Sequence, residues 1–227
     1  QKTAYEIRPR DWSSDVCSSD LSARPLAPRD ALAETYDALV LGTRDYVRKT
    51  GFEQVFVALS GGIDSALVGA IAVDALGAEH VTGVSLPSRY SSEGSVSDAV
   101  DLARRLGVRL VSMPIEAMHQ AALETLAGEF GAGDAGTAGE NVQSRIRGLL
   151  VMALSNHTPR SLVLTTGNKS EYACGYATLY GDMVGGFAVI KDLPKTLVWA
   201  LARYRNTVSP VIPESSIIKD RKSTRLN

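Results

Sequence analysis

The segment SGGIDS, residues 60–65, has the residue types that a phosphate-binding loop requires. Gly61 and Gly62 leave room for backbone N–H groups to approach an anion, and the helix predicted to follow offers the positive end of its dipole. The hydroxyls of Ser60 and Ser65 can donate hydrogen bonds to phosphate oxygens. Asp64 supplies a carboxylate, an oxygen ligand suited to Mg²⁺. The segment therefore predicts a loop that binds the phosphates of a nucleotide together with a magnesium ion.

No lysine follows this loop, so it does not fit the GxxxxGK[ST] pattern of enzymes that transfer a γ-phosphate. The loop instead resembles the pyrophosphate-binding loop of the N-type ATP pyrophosphatases. Those enzymes cleave ATP between its α and β phosphates and attach AMP to a substrate. The group includes GMP, asparagine and argininosuccinate synthetases and tRNA-thiolating enzymes. A tight strand-to-helix turn without chemistry is the remaining alternative.

Two further segments narrow the resemblance. Residues 86–93 read LPSRYSSE, and residues 165–171 read TTGNKSE and continue into YACGYATLYGDMVGG. Both are similar to segments of NAD synthetases, and the second is similar to their long, glutamine-dependent form. The resemblance covers nearly all of residues 25–219. Leu179 is a departure, because the ammonia-dependent members of the family carry a lysine there.

This resemblance implies an ATP-dependent ligase that uses ATP and Mg²⁺. Its substrate would be nicotinic acid adenine dinucleotide, whose carboxylate attacks the α-phosphate of ATP and releases pyrophosphate. Ammonia, supplied from glutamine by a glutaminase domain of the parent protein, then displaces AMP to give NAD. Three other interpretations stay open: another ligase of the group such as a GMP synthetase, a nucleotide-binding module without activity, and a fragment that serves only for dimerisation.

The resemblance also assigns roles to individual residues. The implied catalytic residues are Asp64 and Lys195, and the implied magnesium ligands are Asp64 and Glu171. The implied ATP contacts are Ser60, Gly61, Gly62, Asp64, Ser65, Arg89, Thr166 and Lys195. The implied dinucleotide contacts are Asn141, Arg145 and Glu171.

Several of these residues also have a purely structural interpretation. Glu171 could cap a helix or lie on the surface, and Arg89 could form a surface salt bridge. Asn141 and Arg145, four positions apart, share one face of a predicted helix, which could equally be a polar exposed face. Cys174 is interpreted as a small core residue and not as a nucleophile.

The elements that must position these residues alternate between strand and helix. Short apolar runs at residues 54–59, 81–86, 108–113 and 162–166 predict strands. Helical patterns are predicted at residues 30–50, 64–76, 95–106, 115–127 and 140–155, with a flexible loop at 131–139. This order predicts an α/β fold, a doubly wound parallel sheet with helices on both faces. The resemblance adds that the fold is Rossmann-like, of the adenine nucleotide alpha hydrolase type. Ligands then lie at the carboxyl ends of the strands.

Composition excludes several other classes of protein. The net charge of −1 predicts no basic surface for nucleic acid or membrane, and no apolar run reaches the roughly 18–20 residues that span a bilayer. The two cysteines are too few for a disulfide framework, which indicates the reducing cytoplasm. By resemblance the chain is expected to form a homodimer or a larger homo-oligomer.

The two ends are predicted not to be natural protein sequence. The DNA sequence GATCGGAAGAGCACACGTC encodes residues 220–225, and its reverse complement encodes residues 15–20. Such complementarity indicates translated sequencing adaptor at residues 1–21 and 220–227. A proline-rich linker at 22–30 and a truncated ligase domain at 31–219 remain. We expect this truncated domain to bind ATP weakly and to turn over poorly.

Overall fold

The computed structural model describes residues 30–131 and 135–223, with side chains up to residue 219. The predicted non-native segment 1–21 and almost all of the predicted linker lie outside the described residues. The unit described below begins at Ala31. In this part of the chain, no helix is long and apolar enough to cross a membrane.

Helices and strands alternate along the described residues, as the sequence predicted. The strands are β1 (Gln54–Ala58), β2 (Val81–Ser85), β3 (Arg109–Ser112), β4 (Ser161–Thr165) and β5 (Phe187–Ala188). The helices are α1 (Ala31–Lys49), α2 (Ile63–Leu76), α3 (Glu93–Leu106), α4 (Glu116–Phe130), α5 (Gly136–His157), α6 (Lys169–Cys174), α7 (Lys195–Val208) and α8 (Glu214–Ser223).

The five strands form one parallel sheet in the order β3-β2-β1-β4-β5. Val55 at the centre of the sheet pairs with Val81 on one side and with Leu162 on the other. The chain therefore builds outward from β1 to β3, then returns to the other side of β1 with β4. This reversal of strand order confirms the doubly wound fold, and it opens a crevice at the carboxyl ends of β1 and β4.

Helices cover both faces of the sheet. In β1, Val55 and Val57 join a larger apolar cluster, whereas Phe56 joins a smaller one. Such alternation follows from the period of a strand, which points successive side chains to opposite faces. The larger cluster includes helical residues Val47, Ile71, Leu102, Leu201 and Ile217. The smaller cluster includes Ile146 and Val151 of α5 together with Ile115, the residue before α4.

Several boundaries differ from the sequence-based prediction. Helix α5 begins at Gly136, so the second half of the predicted flexible loop 131–139 is helical, while residues 132–134 lie outside the described residues. Helix α8 (Glu214–Ser223) was not predicted from the sequence. Cys174 is exposed at the end of α6, so its interpretation as a core residue was wrong.

A polar contact within the larger cluster fastens α1 and α7 to α2. Asp74 accepts hydrogen bonds from the Tyr36 hydroxyl at 2.7 Å and from Arg205 Nε and Nη2 at 2.6 and 2.9 Å. The side chains of Arg205 and Asp74 are only 10% and 26% exposed. Burial, with the hydrogen bond to Asp74, raises the pKa of Tyr36. Because the partners are poorly hydrated, the cost of breaking this contact is large.

We predict that Asp74→Ala lowers the free energy of unfolding by about 3 kcal/mol, because it leaves a guanidinium and a hydroxyl unpaired inside the fold. Urea unfolding followed by circular dichroism measures the change. Asp45→Ala is the matched control, since it removes an exposed ion pair with Lys49 on α1. Equal stability for the two variants would contradict the prediction.

Candidate active site

The loop at residues 60–65 joins β1 to α2 and is held by its own serines. Ser65 Oγ donates to the Gly62 carbonyl at 3.0 Å, and the Gly62 N–H donates to Ser60 Oγ at 3.3 Å. The Ser60 N–H in turn donates to Ser65 Oγ at 3.3 Å. These contacts fix the loop before any anion arrives, at the N-terminus of α2 as the sequence predicted.

Gly61 is required by a backbone contact as well as by its conformation. Its φ of +80° lies in the left-handed region that favours glycine. A Cβ at this position would lie 2.2 Å from the backbone carbonyl oxygen of Ser95, near the start of α3. The loop and α3 therefore touch backbone to backbone, which only glycine allows.

Asp64 lies on the first turn of α2 and pairs with two groups from distant elements. Its Oδ1 accepts a hydrogen bond of 2.9 Å from Asn168 Nδ2, and its Oδ2 forms an ion pair with Lys195 Nζ. The Lys195 and Asp64 side chains are 20% and 17% exposed. Lys195 is the first residue of α7, and its N–H donates to Ser170 Oγ at 3.0 Å. The structure thus brings both predicted catalytic residues together.

Glu171 lies beside Asp64 and forms a capping box at the start of α6. Its Oε2 accepts from the Asn168 N–H at 3.0 Å, and Asn168 Oδ1 accepts from the Glu171 N–H at 3.1 Å. One oxygen of Glu171 therefore caps a helix, the structural interpretation considered above. Burial raises the pKa of Glu171 against the hydrogen bond from Asn168, and the nearby charge of Asp64 raises it further.

Two adjoining cavities open at this edge of the sheet. A smaller one of about 160 Å³ is lined by Asp64, Ser65 and Glu171 among others. A larger one of about 480 Å³ lies between the ends of β1, β2 and β4 and the side of α5. Ser60, Thr166 and Asp182 line both. Three loop residues (Ser60, Asp64 and Ser65) and Thr166 after β4 therefore line two adjoining cavities.

Asn141 and Arg145 lie on one face of α5, as their spacing predicted, and both contact the segment 176–186. Asn141 Oδ1 accepts from Thr178 Oγ1 at 2.9 Å, and Arg145 Nε donates to the Leu179 carbonyl at 3.2 Å. Between them, Ser144 Oγ accepts from the Asp182 N–H at 3.0 Å. Helix α5 thereby holds this segment, and Asp182 with it, against the two cavities.

Arg89 makes its contacts on α4, away from the phosphate-type loop. Its Nε donates to Glu116 Oε1 at 2.6 Å and its Nη2 to Gln120 Oε1 at 3.3 Å, so the side chain lies along α4. Arg89 lines neither cavity, and the same is true of Asn141, Arg145 and Lys195. In this structure Arg89 forms the surface salt bridge that was its alternative interpretation.

Sequence reasoning missed two charged residues that line the cavities, Arg147 and Asp182. Arg147 stands two positions after Arg145, and it donates to the Leu86 carbonyl at 3.0 Å and to Ser88 Oγ at 3.3 Å. Asp182 lies within the quoted segment YATLYGDMVGG, whose glycines indicate close packing. The available signal for Arg147 was its helical spacing with Ser144, Gly148 and Val151, and the signal for Asp182 was that glycine context.

The carboxylate oxygens at the site suit a metal ion whose coordination is completed by substrate oxygens. Across residues 30–131 and 135–223, no three acidic, histidine or cysteine side chains converge as a metal cluster. Asp64 and Glu171 do share the smaller cavity. Mg²⁺ is commonly held by one or two carboxylates together with water and substrate phosphates, so this pair fits such an ion.

Comparison with known proteins identifies the family. A family model described as NAD synthase matches residues 35–227. The chain belongs to the NAD synthase family. A curated relative, the glutamine-dependent NAD(+) synthetase of Acinetobacter baylyi, is 53% identical over 197 residues, which are 86% of this chain and 36% of the relative.

Two solved structures of this family show the same fold. The glutamine-dependent NAD+ synthetase of Acinetobacter baumannii in complex with adenosine diphosphate is 53% identical, with a TM-score of 0.82 over 85% of this chain and 37% of that chain. The NH3-dependent NAD synthetase of Campylobacter jejuni is 29% identical, with a TM-score of 0.74 over 84% of this chain and 78% of that chain. The chain thus spans about a third of the length of its glutamine-dependent relatives and most of an ammonia-dependent one.

We predict that Gly61→Ala weakens ATP binding more than about tenfold and lowers the free energy of unfolding by about 1–3 kcal/mol, because its Cβ collides with α3. Calorimetric titration with ATP and urea unfolding measure the two effects. Gly128→Ala in α4 meets open space and is the control, with stability raised by up to about 1 kcal/mol. Unchanged ATP binding by Gly61→Ala would refute the predicted contact between the loop at residues 60–65 and ATP.

A second prediction concerns the pH dependence of stability. The folded chain holds a proton on Glu171 more tightly than the ordinary pKa of 4.5 allows, so this stabilisation is complete at low pH and is lost as pH rises through the raised pKa. Glu171→Gln keeps the capping acceptor but does not titrate. The stability of the natural chain relative to this variant should therefore fall as pH rises from about 4 to 7.

Urea unfolding of the two proteins over this pH range provides the measurement. A difference in unfolding free energy that stays constant, or that moves in favour of the natural chain as pH rises, contradicts the burial of this carboxyl group.

Proposed function

We propose that this chain is the ATP-using, amide-forming part of a glutamine-dependent NAD synthetase. The reaction converts nicotinic acid adenine dinucleotide into NAD and releases AMP and pyrophosphate. The observation that carries the proposal is the phosphate-type loop at residues 60–65, which lines the cavities together with Glu171 and whose Asp64 pairs with Lys195. The adenosine diphosphate bound by the Acinetobacter baumannii relative supports nucleotide binding here.

In the proposed complex, the nucleotide extends through both cavities. The larger cavity is lined mainly by apolar side chains such as Val84, Val151 and Val163, which suit a flat base and its ribose. The triphosphate would extend towards the loop and the N-terminus of α2, where backbone N–H groups and the hydroxyls of Ser60 and Ser65 donate hydrogen bonds. Thr166 lines both cavities and would lie near the join.

Charge balance explains why an acid and a lysine are needed together. Without nucleotide, Lys195 neutralises Asp64 inside the fold. Phosphates would give Lys195 a further anionic partner and release carboxylate oxygens of Asp64. Asp64 and Glu171 would then hold Mg²⁺, which offsets negative charge on the phosphates. Lys195 would stabilise the same charge as it shifts to the departing pyrophosphate.

The second substrate would bind along α5. Asn141, Arg145 and Glu171 are the residues we propose for the dinucleotide, and segment 176–186 forms the wall beside them. A carboxylate oxygen of the dinucleotide attacks the α-phosphorus of ATP, and the bond from that phosphorus to the bridging oxygen of pyrophosphate breaks. The ammonia nitrogen then attacks the activated acyl carbon, AMP leaves, and the nitrogen gives up a proton. A site positioned between both substrates lowers the barrier through proximity.

We further propose that ammonia reaches this site from a glutaminase domain of the parent protein. The high identity to glutamine-dependent relatives supports this source. A cytoplasmic homodimer or larger homo-oligomer, with no nucleic acid or membrane partner, completes the proposal.

Asp64→Asn should lower the rate of NAD formation at least about a hundredfold, because the neutral amide weakens metal binding and removes the ion pair with Lys195. The test uses the full-length parent protein with nicotinic acid adenine dinucleotide, ATP and Mg²⁺, and with glutamine or ammonia supplied separately. Products are AMP, pyrophosphate and NAD, measured by chromatography. Asp192→Asn removes an exposed carboxylate and is the matched control.

Each outcome of this assay selects among the alternatives. NAD formed with glutamine supports the whole proposal, and NAD formed with ammonia alone removes the glutaminase partner. GMP formed from xanthosine monophosphate would identify a different ligase. No AMP under any condition from a folded protein would leave a nucleotide-binding module.

A further inference from the structure

The proposed reaction assigns no role to Arg147. It projects from α5 into the wall of the larger cavity. Its Nε donates to the Leu86 carbonyl at 3.0 Å, and its Nη2 donates to Ser88 Oγ at 3.3 Å. One planar guanidinium thus binds two acceptors, on Leu86 and Ser88, just after β2, and the fork of an arginine suits this arrangement better than a lysine does.

The charge of Arg147 is not balanced by an acid. Arg89 and Arg205 are paired with Glu116 and Asp74, but no carboxylate pairs with Arg147 within the described part of the chain. Burial lowers the pKa of Arg147, which still leaves a guanidinium charged at neutral pH. A partly buried cation beside an apolar cavity favours an anionic occupant.

The segment gripped by Arg147 forms part of the cavity. Leu86, Pro87 and Ser91 line it. Within the segment, the Ser88 N–H donates to Ser91 Oγ at 3.0 Å, and the Ser91 N–H donates to the Ser88 carbonyl at 2.9 Å. The turn is therefore stiff, and its position relative to α5 depends on what holds it from outside.

A second contact holds the same turn from α4. The Arg89 N–H donates to Glu116 Oε2 at 3.1 Å, and the Arg89 side chain pairs with the same carboxylate. The turn is fastened on one side to α4 and on the other, through Arg147, to α5. Of these two contacts, only the one made by Arg147 lies in the wall of the cavity.

We propose that Arg147 is a positioning residue for nucleotide binding: it clamps residues 86–88 into the cavity wall and leaves its own charge available to the α-phosphate of ATP, a group that pyrophosphate lacks. This inference rests on the proposed function, because the occupant of the larger cavity is taken to be the adenosine part of ATP. The clamp acts on the nucleoside end, whereas the loop at residues 60–65 acts on the phosphates. Loss of the clamp should therefore weaken ATP binding and spare pyrophosphate binding.

Two substitutions separate the fork from the charge. Arg147→Lys keeps the charge but loses the fork, and it should weaken ATP binding about tenfold, the effect of losing one or two hydrogen bonds. Arg147→Met loses both, so it should weaken binding further and make it less dependent on salt concentration. Arg203→Lys, an exposed change on α7, is the matched control.

The measurement is calorimetric titration of the 227-residue chain with ATP and, separately, with inorganic pyrophosphate, both with Mg²⁺. Hydrogen exchange of the amides at residues 86–91 provides a second readout, and it should accelerate in Arg147→Lys. Ser88→Ala removes one acceptor of the clamp without disturbing a buried charge, and it should weaken ATP binding about two- to fivefold. This variant carries the test if Arg147→Lys does not fold.

The outcomes distinguish this inference from the proposed function. A natural chain that binds no ATP overturns both. A natural chain that binds ATP, with Arg147→Lys and Ser88→Ala binding it equally well, overturns the clamp alone. Parallel losses of ATP and pyrophosphate binding would show general destabilisation and also overturn the clamp. A loss confined to ATP, with faster exchange at residues 86–91, supports it.

Discussion

All strands of the sheet are parallel, and this constraint determines where chemistry can occur. With the order β3-β2-β1-β4-β5, the carboxyl ends of β1, β2 and β4 lie side by side at one edge. The connections after β1 and β4 leave towards different neighbours, which opens a crevice between the two strands. Residues 60–65 and Thr166 reach this gap because each directly follows a central strand.

The part-buried charges of Asp64 and Lys195 at this edge are paired with one another. Asp64 is held by Asn168 and Lys195, which are 104 and 131 positions distant in sequence. An uncompensated carboxylate at this depth would be costly, so α6 and α7 must dock correctly before Asp64 is tolerated. The same contacts bring acid, amide and amine to the place where phosphates are proposed to bind. Stability and proposed function therefore depend on one set of contacts.

Sequence patterns predicted the strands and the phosphate-type loop because these signals are local. The placement of Asn141 and Arg145 on one face of α5 followed likewise from their helical spacing. Helix α6 and strand β5 have six and two residues, too few to show a period. Helix α7 was missed although Val198, Leu201 and Ala202 carry a helical spacing. Arg89 and Arg147 could not be distinguished, because the choice between a partner on α4 and a place in the cavity is made by tertiary packing alone.

Helix α5 links the two halves of the proposed reaction. Arg147 faces the cavity proposed for the nucleotide, while Asn141 and Arg145 hold the wall proposed for the second substrate. All three lie within two turns of one helix, whose rise is about 1.5 Å per residue and whose backbone is rigid. The separation between the two substrates would thus be set by a single secondary-structure element and not by loop closure. For a reaction in which a carboxylate must meet a phosphorus atom in line, such a fixed separation supplies much of the required proximity.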